Sequence, residues 1–358
     1  MEQYNFARLK KLMQRAQAGE ELTIGFLGGS ITQGSLATVH EKTYAYRVFS
    51  WWESSFPQAK FHYVNGGIGG TTSHFGVSRV VTDVLMYQPD FVVVDFSVND
   101  KPTEFFKETY EGVIRKILTW PSHPAVVLLN NVYYDSGINA QEQHNAVGDW
   151  YHLPHVSIRD SVYQDMKKGT YTLKELSPDG LHPNDKGHQL VAAQITKLLE
   201  EVKVHMGETE EEPEFPQPLT KNAYENAKRL TIREISPELE GFRADTEEKA
   251  GHLDFFKNGW LGQKAGDRIM FEVEAANIAV QYRKTIHKPA VKVNLVLDGD
   301  RDHPVLLDGN FEEDWGDCLY IDTILHHGER KKHTIEITVP DGESEGETPF
   351  YLLSLIVT

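Results

Sequence analysis

The chain of 358 residues has a single cysteine, Cys318. One thiol excludes an intramolecular disulfide and any metal cluster built from cysteines, leaving a buried apolar side chain as the plain reading. Positive charge is also scarce: 36 Lys and Arg stand against 53 Asp and Glu, a formal net charge of −17. Nucleic-acid binding needs basic surface, so the charge argues against that class, and less strongly against an anionic membrane surface. A neutral ligand is compatible. No stretch approaches the roughly 18 apolar residues of a membrane span. The opening "MEQYNFARLKKLMQRAQAGEEL" lacks a signal-peptide run. Its Phe6, Leu9, Leu12 and Met13 recur at helical spacing instead. A soluble, cytoplasmic protein is expected. The histidines, among them His40, His62, His74, His123 and His144, lack zinc-site spacing, so no metal and no other cofactor is expected.

What is present is apolar residue in quantity, 40% of the chain. At about 150 residues per domain the length suggests two domains. The first two hundred residues alternate apolar runs with helical patterns. "LTIGFLGG", "KFHYVNGGIGG", "DFVVVDFSVND", "AVVLLNNVYY" and "HVSIRD" read as strands. "YAYRVFSWWESSF", "FKETYEGVIRKILTW" and "NDKGHQLVAAQITKLLEEVK" read as helices. Such alternation predicts an α/β domain with a parallel sheet covered on both faces. Ligands of such sheets sit beyond the carboxyl ends of the strands. Residues 207–218, "GETEEEPEFPQP", are acidic and proline-rich and read as a linker, or else as a surface loop of one domain. Beyond them the pattern becomes short alternating runs, "RIMFEVEA", "NIAVQYRK", "VKVNLVLDG", "HTIEITV" and "FYLLSLIV", which predict a β-sandwich. The expected division is 1–206, linker 207–218, and 219–358.

Four segments carry candidate chemistry. In "FLGGSITQG", Ser30 follows a strand through Gly28 and Gly29, placed either to act as a nucleophile or to cap the next helix. It does not form a G-x-S-x-G elbow, because Thr32 occupies the second glycine's place. "VNGGIGGTTS" holds four glycines within five residues, whose unshielded N–H groups could serve an oxyanion. In "FSVND", Asn99 stands just past a buried strand, as a donor into a cleft or as a turn residue, while Asp100 reads as a brace. In "SPDGLHP", Asp179 and His182 stand three apart between prolines. They read as a base with its orienting carboxylate, or as a turn with a surface histidine. His188 reads as a helix-surface or packing residue. In the second half, Trp260 and Trp315 lie in polar, loop-like stretches. Each either stacks on a sugar or packs on its own sandwich.

Taken in order, "GGSIT", "VNGGIGGTT", "SVND" and "DGLHP" resemble the sequence blocks of the SGNH, or GDSL-type, hydrolases over roughly residues 20–203. The resemblance implies a flavodoxin-like three-layer α/β fold and ester hydrolysis. It implies Ser30 as nucleophile, Asp179 and His182 as acid and base, and Gly70 and Asn99 as oxyanion donors. Two positions depart from the blocks: Gly29 replaces the usual Asp, and Ser97 the usual Gly. The layout with an appended sandwich is similar to the two-domain β-mannan acetylesterases of carbohydrate esterase family 17, whose second domain resembles a family-35 carbohydrate-binding module. This implies a serine esterase acting on acetylated oligosaccharides, with no nucleic-acid or membrane partner. A homo-oligomer is left open. The rivals are a lipid or thioester acylhydrolase and a non-catalytic carbohydrate-binding protein.

Overall fold

The structure, a computed structural model, describes residues 4–342 and 348–358. Its first unit, Met1–Glu225, is built on five strands: β1 (Glu21–Gly28), β2 (Lys60–Gly67), β3 (Phe91–Asp95), β4 (Ala125–Asn130) and β5 (His155–Ser157). All pair in parallel, in the order β2-β1-β3-β4-β5. Every residue of β3 and β4 is buried, because helices cover both faces, and the near-continuous valine and leucine runs follow from that.

The helices are α1 (Ala7–Gln17), α2 (Ser30–Gln33), α3 (Tyr44–Ser55), α4 (Ser73–Asp83), α5 (Glu104–Leu118), α6 (Gln141–Trp150), α7 (Val162–Lys167), α8 (Leu173–Leu176) and α9 (Asp185–Val204). Phe6, Leu9, Leu12 and Met13 are buried in one core with Val48 and Trp52 of α3, Ile195 and Leu199 of α9, and Phe26 and Val93 of the sheet. On the chain's other pairings, α4 packs on α5 and α5 on α6. Thr43 caps α3 by accepting from Tyr46 N–H, and Asn184 caps α9 by accepting from Lys186 and Gly187. No helix among the described residues is long and apolar enough to cross a membrane.

The strand order reverses direction between β1 and β3, which are neighbours in the sheet. In a sheet of this order the crevice opens there, past the carboxyl ends. Ser30 and Asn99 follow these two strands directly, and Gly70 follows β2.

The first unit ends later than composition suggests. Residues 207–218 hold no helix or strand, yet Glu210 pairs with Lys10, Glu212 with Arg8, and the Pro216 carbonyl accepts from Arg115. Just beyond, Leu219 and Thr220 donate N–H groups to the buried Glu111 carboxylate. The segment is a strap on the first unit, and the boundary lies at Glu225.

The second unit, Asn226–Thr358, contains β6 (Lys228–Leu230), β7 (Glu238–Glu240), β8 (Arg243–Ala244), β9 (Trp260–Gly262), β10 (Arg268–Ala275), β11 (Ile278–Lys284), β12 (Lys292–Leu297), β13 (Val305–Asp308), β14 (Cys318–Leu325), β15 (Lys331–Thr338) and β16 (Phe350–Val357). They form two antiparallel sheets, β13-β12-β15-β10-β7 and β14-β11-β16-β9-β8, with β6 added on β16. Ile269, Phe271 and Val273 of β10 alternate inward, as do Ile335 and Ile337 of β15, and meet Val280, Leu352 and Leu355 in one core. This is a β-sandwich.

Candidate active site

Ser30 is the first residue of α2, reached from β1 through Gly29, whose N–H bonds the Asp95 carbonyl at 3.3 Å. Its hydroxyl lies 2.8 Å from His182 Nε2, although the two residues are 152 apart in sequence. His182 Nδ1 lies 2.7 Å from Asp179 Oδ2. With Nδ1–H donating to the carboxylate, the Nε2 lone pair faces the serine hydroxyl, which donates to it. The structure thus joins Ser30, His182 and Asp179 in one relay.

The loop holding the acid and base is shaped by the acid itself. Asp179 Oδ1 accepts N–H groups from Leu181 (2.9 Å) and His182 (2.8 Å) and the Ser177 hydroxyl (3.2 Å). Partial burial pushes this carboxyl up. The His182 ring and the two N–H groups outweigh that and hold it below the usual Asp range. Gly180 has φ of +84°, and its carbonyl accepts from Tyr134 N–H (2.7 Å) and Asp135 N–H (3.3 Å), which pins the loop to the segment after β4.

Opposite the relay lie the oxyanion candidates. A Cβ on Gly29 would sit 2.2 Å from Asn99 Oδ1 and 3.5 Å from its Nδ2. The carboxamide therefore rests against Gly29 through its oxygen, in the space that an Asp at position 29 would fill. Among the described residues nothing accepts a hydrogen bond from Asn99 Nδ2, Ser30 N–H or Gly70 N–H, whereas the neighbouring Gly69 N–H is taken by Gln33 Oε1 at 2.7 Å. Gly70 sits at φ +69°, a conformation suited to glycine. Ser97, the second departure from the block, is fully buried and donates to the Asn131 carbonyl at 2.9 Å.

Several supporting residues escaped the sequence reading. Arg79, 1% exposed, donates to the Gly28 carbonyl (2.9 Å), the Gly66 carbonyl and Thr71 Oγ1 (3.2 Å). It ties the ends of β1 and β2 together behind Ser30, and Asp83 balances its charge at 2.8 Å. Asp100 does brace: its carboxylate accepts Ser73 N–H at 2.8 Å and His144 Nε2–H at 3.0 Å, and His144 stacks on Tyr110 at 3.6 Å. The loops bearing Gly70 and Asn99 are thereby fixed to each other. Asp95 is buried beneath the nucleophile turn, bonded by Asn131 Nδ2 (2.8 Å) and Thr32 Oγ1 (3.3 Å). Burial pushes its carboxyl up to about 7, and those bonds only partly offset the effect.

In the second unit the two tryptophans part ways. Trp260 does not lie in a loop with a free face. It opens β9, is 1% exposed, and packs its ring edge-on against Phe271 in the sandwich core. The sugar-contact reading of Trp260 is corrected accordingly: β9 pairs with both β8 and β16, so its inward residues face the opposing sheet. Trp315 is 56% exposed, its ring at 87° to that of Phe311 with centroids 5.0 Å apart. Cys318 is buried at the start of β14, and burial raises its thiol to about 11.

A serine–histidine–aspartate relay beside unspent N–H donors, at the switch point of a parallel sheet, defines a serine hydrolase site. Residues 26–190 match the GDSL-like Lipase/Acylhydrolase family, and the chain belongs to that family. It is 49% identical to a two-domain esterase, CEX, active on acetylated mannans, over 99% of this chain and 95% of that one. The TM-score is 0.97 to one CEX structure and 0.95 to another co-crystallised with mannopentaose. No curated protein matches the chain.

Proposed function

We propose that the protein removes O-acetyl groups from manno-oligosaccharides through an acetyl-serine intermediate. The observation that carries the reading is the unbroken relay, 2.8 Å from Ser30 to His182 and 2.7 Å from His182 to Asp179. The sugar class is supported by the similarity to CEX across both units.

In the first half-reaction Ser30 Oγ attacks the acetyl carbonyl carbon while its proton passes to His182 Nε2. Asp179 keeps Nδ1 protonated and stabilises the imidazolium. The Ser30 and Gly70 N–H groups and the Asn99 amide take the negative charge on the carbonyl oxygen. Collapse breaks the bond to the sugar oxygen, which leaves with the imidazolium proton. Water then attacks the acetyl-serine with His182 as base, releasing acetate and restoring the hydroxyl. Trp315, 56% exposed, is an aromatic of the second unit open enough to meet a sugar ring.

Acetate release from acetylated manno-oligosaccharides, measured beside hydrolysis of long-chain p-nitrophenyl esters, tests the reading. Activity on the oligosaccharides that disappears in Ser30→Ala is expected. Undiminished activity in that variant refutes the nucleophile, and preference for long acyl chains refutes the sugar assignment.

A further inference from the structure

The catalytic serine and histidine come from distant parts of the chain, and one hydrogen bond between them is too weak to hold those parts in register. The first turn of α9 does join them. Asp185 stands three residues past His182, and its Oδ1 accepts Thr38 N–H at 2.8 Å. Its Oδ2 accepts the Thr38 hydroxyl at 2.8 Å and Lys42 Nζ at 2.6 Å. One turn on, the buried His188 ring bridges two backbone groups of the same segment. Nδ1 accepts Tyr44 N–H at 3.2 Å, and Nε2–H donates to the Ser35 carbonyl at 3.1 Å. Only the neutral tautomer protonated on Nε2 satisfies both bonds. Burial keeps the ring in that state by lowering it to about 4.

The gripped segment leads straight back to the nucleophile. The N–H groups of Gly34 and Ser35 both bond the Ser30 carbonyl at 3.0 Å. The Tyr44 hydroxyl bonds Thr32 Oγ1 at 2.7 Å. Two hydrogen-bonded routes therefore run from α9 to α2, one through Ser35 and one through Tyr44. We infer that Asp185 and His188 are positioning residues: they latch residues 35–44 onto α9 and so hold the Ser30 hydroxyl within reach of the His182 ring. The inference rests on the esterase reading. The latch acts through the loop and the helix, not on the substrate.

Asp185 also suits the positive end of α9, so truncating it alone would not separate a latch from a helix-stabilising charge. A cycle with the loop partners does. In the full chain, Asp185→Ala, His188→Phe, His188→Gln, the pair Thr38→Val with Lys42→Met, and the triple combination with Asp185→Ala are compared. Melting temperature, kcat and KM on p-nitrophenyl acetate, and the rate and extent of Ser30 labelling by a fluorophosphonate are measured. Misplacing a reacting group by about 1 Å can cost on the order of 100-fold, so Asp185→Ala and His188→Phe should lower kcat by about 10- to 100-fold. KM should stay within about twofold, and labelling should slow in parallel while still reaching every site. His188→Gln, which keeps a donor and an acceptor, should recover part of the loss. Thr38→Val with Lys42→Met should itself lower kcat, and the triple variant should lose no more in total than Asp185→Ala alone, so that the separate losses do not add. Because Thr38 and Lys42 lie on the surface, this arm stays readable even if a His188 variant fails to fold. Unchanged kcat in the folded variants, losses that appear only as unlabelled sites, or full additivity in the cycle would overturn the latch. Acetate release by Ser30→Ala would instead overturn the esterase reading.

Discussion

Replacing Asp179 by Asn changes one atom of the relay and leaves its shape. Asp179 Oδ1 accepts two backbone N–H groups, from Leu181 and His182, while Oδ2 faces His182 Nδ1. An Asn amide has two orientations there. Turning its NH₂ toward the backbone would set donor against donor and lose two hydrogen bonds, about 0.5–1.5 kcal/mol each, with further cost for N–H groups left unpaired. The oxygen therefore stays on the backbone side and the NH₂ points at Nδ1. His182 can then accept only at Nδ1, its proton moves to Nε2, and that proton faces the Ser30 hydroxyl. The ring can no longer take the serine proton. A wrong tautomer in such a relay lowers kcat by about 10,000-fold, near 5.4 kcal/mol at about 1.36 kcal/mol per decade. Steady-state hydrolysis of p-nitrophenyl acetate by Asp179→Asn, with its melting curve beside the wild type, gives the answer. A folded variant that keeps a tenth or more of wild-type kcat would show that Asp179 does not set the tautomer.

Two further outcomes follow from the geometry. Asn99→Ala removes a donor whose amide has no hydrogen-bond partner to lose among the described residues, and should lower kcat by about 100- to 1000-fold with KM nearly unchanged; a rise in KM alone would place Asn99 in ground-state binding. Asp95 holds its proton to about 7 in the folded protein and releases it near 3.9 when unfolded. The native state thus binds more protons between those values, so stability falls as pH rises across that window and levels off above it. The loss is at most about 4 kcal/mol. Urea unfolding from pH 4 to 8 should show this slope in the wild type and a flatter one in Asp95→Asn, and equal slopes would remove the assignment.

The parallel sheet was readable in advance because strands covered on both faces leave unbroken apolar runs such as Phe91–Asp95. The site was readable because the polar residues just past those runs must lie at the carboxyl edge, where Ser30 and Asn99 are found. Residues that act through distant partners left no such mark. Arg79 reaches the carbonyls of Gly28 and Gly66, and His188 reaches Ser35 and Tyr44. Neither pairing has a local period. Trp260 reads in the sequence either as sugar contact or as packing because its three-residue strand is too short to show alternation between polar flanks. The acidic segment 207–218 reads as a linker because composition does not reveal that Lys10 and Arg8 lie ready to pair with its glutamates.

That strap bears on how the hydrolase half could be moved into other proteins. The Glu111 carboxylate is enclosed, and it is satisfied by Leu219, Thr220 and the Tyr151 hydroxyl, while Arg115 bonds Glu225. A fusion joint at residue 206 would strip away three of these partners and open the Glu111 carboxylate and Arg115 to solvent along a raw seam. Joined after Glu225 instead, the transplanted half would carry its own seal.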